Sequence, residues 1–193
     1  MSNSKTVLDE TPFQTAGPFL HIGCLPNAIN IEGIFDTDLG VKPFANKDYD
    51  KFITITGSVF DGDGKALDDI MLESWQSDEN GVYSPECGFA RFVPDSLTKK
   101  FNLYTLKPGF MNNIDGKAQS PHILLSISSR GLNMTLNTRI YFEGDDFTND
   151  PLLSTVKNSR NDVSSLIAKK IDEDIYLFDI FLQGDRETIF LDI

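Results

Sequence analysis

From residue 51 onward the apolar residues fall in short runs that break every few positions at Gly, Pro or an Asp/Asn-rich turn, and this pattern limits the chain to sheet-based folds. Lys-Phe-Ile-Thr-Ile-Thr-Gly-Ser-Val-Phe (51–60) alternates β-branched residues and runs into Asp61-Gly-Asp-Gly64, whose residues enter positive φ easily. Ile70–Gln76 repeats the arrangement and closes on Asp78-Glu-Asn-Gly81. Further strands are expected at Asn102–Leu106, Ile123–Ser128, Met134–Phe142, Ile175–Leu182 and Thr188–Leu191. Closely spaced strands of this kind predict a mainly β fold, an antiparallel sandwich or barrel.

Two regions depart from the pattern. Residues 1–50 carry Pro12, Pro18, Pro26 and Pro43 with glycines between them, and they read as an extended arm ahead of a domain at 51–193. Fixing such a segment costs about 1–2 kcal/mol of backbone entropy per residue. Its apolar residues Phe13, Phe19, Leu20, Ile22 and Leu25 therefore suggest docking on another surface, such as a partner chain. Near 149–171 one or two short helices are expected. Asn149-Asp-Pro-Leu-Leu offers a cap before a first-turn proline, and Val163, Leu166, Ile167 and Ile171 share a helical face.

The 193 residues suit one domain, and 40% hydrophobic content with 15 Phe and 5 Tyr indicates a packed core. Twenty-nine acidic against 17 basic side chains leave a net charge of −12, the wrong sign for binding nucleic acid. An anionic substrate would be repelled unless a cation were placed locally. No apolar run reaches the roughly 20 residues of a membrane span, and the first residues lack a signal-peptide core, so a soluble, cytoplasmic protein is expected. Cys24 and Cys87 form no CxxC or other ligand spacing and read as reduced thiols.

Local motifs do not name a reaction: HExxH, GxSxG, P-loop and GxGxxG patterns are all absent. His21 and His122 are too few for a His-rich metal site, although ligands from distant strands could converge. Asp61, Asp63, Asp68 and Asp69 lack an EF-hand register and read as turn residues. Arg130 sits at a strand end, where an exposed turn arginine is the plain alternative to a functional one.

Read in order, several segments resemble the intradiol ring-cleaving dioxygenases. These are Thr11-Pro-Phe-Gln-Thr-Ala-Gly-Pro-Phe-Leu-His-Ile-Gly23, Leu72-Glu-Ser-Trp-Gln-Ser-Asp-Glu-Asn-Gly-Val-Tyr83, Thr105-Leu-Lys-Pro-Gly109, Ser120-Pro-His-Ile123, Arg130-Gly-Leu-Asn133 and Tyr176-Leu-Phe-Asp-Ile-Phe-Leu-Gln-Gly184. The resemblance implies a β-sandwich and a reaction in which O2 is inserted between the two hydroxyl-bearing carbons of a catechol. For a protocatechuate substrate the product would be 3-carboxy-cis,cis-muconate.

Catalytic chains of this family hold Fe(III) with two Tyr and two His. The resemblance sets those positions at Tyr83, Met111, His122 and Leu124, so two of the four ligands are missing. A hard ferric ion gains little from a thioether and nothing from Leu. The resemblance is accordingly to the alpha chain of two-chain members, in which a homologous beta chain binds the iron. Tyr83 and His122 are then expected to be structural, hydrogen-bonded to each other. The same likeness implies that Thr15, Gly17, Pro18, Phe19 and Arg130 line the substrate pocket where the two chains meet, with Phe19 replacing the family's usual Tyr. The alternative is a purely structural assembly subunit that touches no substrate.

Overall fold

The computed structural model describes residues 14–45, 52–112, 116–160 and 162–192. Expectations for residues 1–13 and 46–50 of the arm, and for Lys51 at the start of the domain, lie outside these. The described strands are β1 (Phe52–Gly57), β2 (Val59–Phe60), β3 (Ile70–Gln76), β4 (Phe89–Phe92), β5 (Phe101–Leu106) and β6 (Met111–Asn112), followed by β7 (Ala118–Gln119), β8 (Ile123–Ser129), β9 (Leu136–Phe142), β10 (Ile167–Asp172), β11 (Ile175–Leu177) and β12 (Ile180–Phe181). Two helices join them, α1 (Leu20–Cys24) and α2 (Pro151–Arg160).

Eight strands form one sheet in the order β4-β3-β8-β9-β10-β11-β1-β5. It curls until its edge strands approach, with the rings of Phe92 and Phe101 5.7 Å apart, so the mainly β expectation holds in a nearly closed form. Most pairings are antiparallel, but β1–β11, β9–β10 and β2–β12 run parallel. Alternation explains which side is buried. Leu72 of β3, Ile127 of β8 and Ile140 of β9 point into the curl and are fully buried, whereas Glu73, Trp75, Leu124, Ser126 and Arg139 lie on the outer face.

The 149–171 interval is a helix for only part of its length. Asp150 caps α2 by accepting the N–H groups of Leu152 and Leu153, each at 3.0 Å. The helix expected over Asp162–Ile171 is not formed: Ser164–Leu166 is a 3-10 turn and the chain continues as β10. Ile167 and Ala168 pair with Tyr141 and Phe142, filling the gap between β9 and β11, while Ile171 is exposed. Sheet completion outweighs the local helical spacing. The strand expected over 175–182 is two short ones, and 188–191 is irregular, tied by single backbone bonds from Thr188 to Phe181 and from Leu191 to Asn137.

The described part of the arm lies against its own domain. Leu25 and Phe44 are buried, and Gly88 and Arg91 donate their N–H groups to Pro43 and Gly40. Asp38 accepts from the backbone of Asn27 and Ala28, closing the arm on itself. Among the described residues no helix is long and apolar enough to cross a membrane.

Candidate functional site

Two groups of candidate residues lie on the outer face of β3, β8 and β9. Met71 and Trp75 mark their places on β3, four residues or about 13 Å apart.

At the first, the arm meets the turn after β8. The Thr15 hydroxyl oxygen accepts the Gly131 N–H at 2.8 Å, joining segments 116 residues apart in sequence. Arg130, 65% exposed at its side chain, pairs with Asp69 at 3.0 Å. Beneath it lies a cleft of about 270 Å³ whose lining includes Asp61, Asp69, Arg130, Leu132 and Gln183. Asp61 is already committed to its turn, accepting from the N–H groups of Asp63 and Lys65, while Asp68 pairs with Lys99. Ala16, Gly17, Leu20 and His21 cover Met71 and Ser128 nearby. Phe19 projects outward, 73% exposed, with Pro18 exposed beside it. The sequence-predicted residues thus separate: Thr15 and Arg130 come to one turn, Gly17 covers the sheet next to it, and Pro18 and Phe19 face away from the chain.

At the second, Tyr83, Met111, His122 and Leu124 converge around a residue the sequence reading missed, Arg139. Leu124 on β8 is the direct cross-strand neighbour of Arg139 on β9 and of Trp75 on β3. Tyr83 stacks on Trp75 with ring centroids 5.9 Å apart. Met111 pairs with Gln119, whose side-chain oxygen accepts from Arg139 Nη1 at 3.1 Å. The same nitrogen donates to the Tyr141 hydroxyl at 3.3 Å, and the Tyr141 ring lies 5.7 Å from that of His122. The only sequence signal for Arg139 was a charged residue inside the otherwise uncharged run Leu136–Phe142.

Tyr83 and His122 do not take the mutual hydrogen bond expected of them. His122 Nδ1 donates instead to the Ser120 carbonyl at 2.8 Å, leaving Nε2 without a proton in the neutral ring. Burial, reinforced by the Arg139 charge, lowers the His122 pKa to about 4. Burial raises the Tyr83 phenol, with Arg139 opposing the shift.

The donor set does not fit ferric iron. Met111 offers a thioether, Leu124 offers nothing, and a guanidinium stands among the four positions. Among the described residues no cluster of three or more His, Cys, Asp or Glu could hold a metal ion.

His122 also sets a pH response. Because its folded pKa lies below the usual 6.5, the unfolded state takes up a proton first, so stability is full above pH 6.5 and falls as the pH drops towards 4. That displacement is worth roughly 3 kcal/mol. Denaturation midpoints measured from pH 7 to 4 are expected to fall less steeply in His122→Asn than in the wild type. Parallel curves would contradict a buried neutral imidazole.

A family model described as Dioxygenase matches residues 30–184. The protocatechuate 3,4-dioxygenase alpha chain of Pseudomonas putida is 37% identical over 203 residues, covering 96% of this chain and 98% of its own length. The protocatechuate 3,4-dioxygenase alpha chain of Burkholderia cepacia is 31% identical over 206 residues, covering 97% and 100%. Among solved structures, the dioxygenase domain of a carbohydrate-binding fusion from Streptomyces sp. SirexAA-E superposes with a TM-score of 0.56 at 21% identity, over 79% of this chain and 94% of that one. Catechol 1,2-dioxygenase from Pseudomonas arvilla C-1 gives 0.58 at 18% identity, over 77% and 58%. At these identities the structural matches speak for the fold.

Proposed function

Because the chain belongs to the dioxygenase family, alongside the alpha chains of protocatechuate 3,4-dioxygenase, we propose that it is the alpha subunit of a cytoplasmic alpha–beta intradiol dioxygenase. The substrates are protocatechuate and O2. Both oxygen atoms enter the product, 3-carboxy-cis,cis-muconate, as the bond between the hydroxyl-bearing carbons breaks. The family's Fe(III) is assigned to the homologous beta chain, since the equivalent positions here lack half the donors. This chain's share is to shape the substrate pocket at the interface.

The observation that carries this reading is the hydrogen bond from the Gly131 N–H to Thr15, which brings the arm and the Arg130 turn together on one surface. Arg130 is exposed and can meet a ring carboxylate, offsetting the repulsion of a chain with net charge −12. Asp69 pairs with it in the isolated chain and holds the guanidinium in place until a carboxylate competes. Gly17 supports an outside approach, because a Cβ built there meets nothing of this chain within 4 Å, so packing within the chain does not demand the glycine. Phe19, Ile34, Phe35, Leu39 and Val41 are large, apolar and exposed along the arm, the composition of a surface covered by a partner.

Arg130→Ala, in the complex with the beta chain, tests the proposal. A lost charge-assisted contact is worth about 1.5–3 kcal/mol, so kcat/KM for protocatechuate is expected to fall roughly ten- to hundredfold. Catechol, lacking the carboxylate, is expected to lose little. Normal assembly with unchanged kinetics for both would assign Arg130 to the Asp69 ion pair alone and favour a purely structural subunit.

A further inference from the structure

The cluster around Arg139 holds a partly buried guanidinium. The guanidinium bonds to Gln119 and Tyr141 through one nitrogen, and its buried Nε has no hydrogen-bond partner, an arrangement that places the charge within the cluster without satisfying every donor. Of the four ligand positions, Leu124 is its direct cross-strand neighbour, Met111 reaches it through Gln119 and His122 through Tyr141, and Tyr83 stacks on Trp75, the other cross-strand neighbour of Leu124. A surface arginine would have gained full hydration on an exposed strand, whereas this one is partly buried among groups with acceptor atoms.

We propose that Arg139 is a built-in cation that takes the place of a metal among these residues, holding them together and excluding a metal ion by its fixed charge. The inference rests on reading positions 83, 111, 122 and 124 as the family's ligand positions, and it goes further in making the exclusion active. Refilling the missing ligands is then not enough to restore binding.

The test uses the full chain expressed alone with iron supplied, and reads iron per chain and the visible phenolate-to-iron absorption. M111Y/L124H is expected to remain iron-free and colourless. Adding R139Q, or R139M should Gln disturb the sheet, is expected to raise iron content at least about tenfold and give a coloured protein. Adding R139K instead, which keeps the charge, is expected to leave the protein iron-free. Iron loading of M111Y/L124H equal to that of the triple variants would overturn the role of Arg139 while leaving the four ligand positions intact. Equal loading of the Lys and Gln variants would overturn exclusion by charge. If no folded variant takes iron, the ligand assignment itself fails, and the inference with it. Thermal melts of the single variants give a readout independent of iron: R139K is expected to melt nearer the wild type than R139M. Equal melting would overturn the cohesive role of the charge.

Discussion

Asp150→Ala is expected to destabilise the chain by about 3–5 kcal/mol, the range for removing one partner of a buried polar network. Asp150 is 1% exposed, and its two carboxylate oxygens serve four donors. One oxygen accepts the N–H groups of Leu152 and Leu153 at the start of α2 and the Tyr141 hydroxyl at 3.3 Å. The other accepts the Ser120 N–H at 2.9 Å. Alanine would lose a helix cap, worth about 1 kcal/mol, and leave the Ser120 N–H and the Tyr141 hydroxyl buried without this partner. Ser120 is also the residue to which His122 donates, and Tyr141 is the one that Arg139 contacts, so the damage reaches the residues around Arg139. Chemical denaturation at pH 7 measures the loss. Asp150→Asn, which keeps an acceptor oxygen for the cap, is expected to lose distinctly less. A loss under about 1 kcal/mol for the alanine variant would mean the network contributes little.

Gly57→Ala is expected to be at least as harmful, about 3 kcal/mol or more, because the clash is with backbone. A Cβ at this position would lie 1.9 Å from the Phe178 carbonyl oxygen and 2.6 Å from its carbon, with the Phe101 ring 3.0 Å away. Neither carbonyl atom can swing aside as a side-chain tip would. Relief requires parting the end of β1 from the segment after β11, where the Phe178 N–H donates to the Thr56 carbonyl at 2.8 Å. That seam joins the two ends of the domain, so a low soluble yield and a large drop in Tm are expected. A variant melting within a few degrees of the wild type would show that the seam yields easily.

Legibility from sequence followed how local each cause was. Strands β1, β3, β5, β8 and β9 could be read because one buried face imposes a period of two on their residues. Asp61 and Asp78 gave their turns away because each carboxylate bonds to backbone N–H groups two and four residues ahead. Strand β4, only Phe89–Phe92, is too short for its alternation to stand out. Strand β10 was misread because the three- and four-residue spacings of Val163, Leu166, Ile167 and Ile171 fit a helix locally, while its two parallel partners at Tyr141 and Phe142 are distant in sequence.

The candidate site divides in the same way. Met111 and Leu124 fall at two positions where the family resemblance expects iron ligands, and neither suits a ferric ion, since no fold can give Leu a donor atom. The net charge of −12 likewise made a local cation necessary for an anionic substrate whatever the fold. Which arginine stands where was a tertiary matter. Arg130 meets the arm only because β8 ends beside it, through a bond spanning 116 positions. Arg139 stands beside Leu124 only because β8 and β9 pair in the register that sets the two opposite each other. Side-chain chemistry belongs to each residue alone and survives any arrangement, but a cation acts on what lies within a few ångströms of it, and strand register decides that.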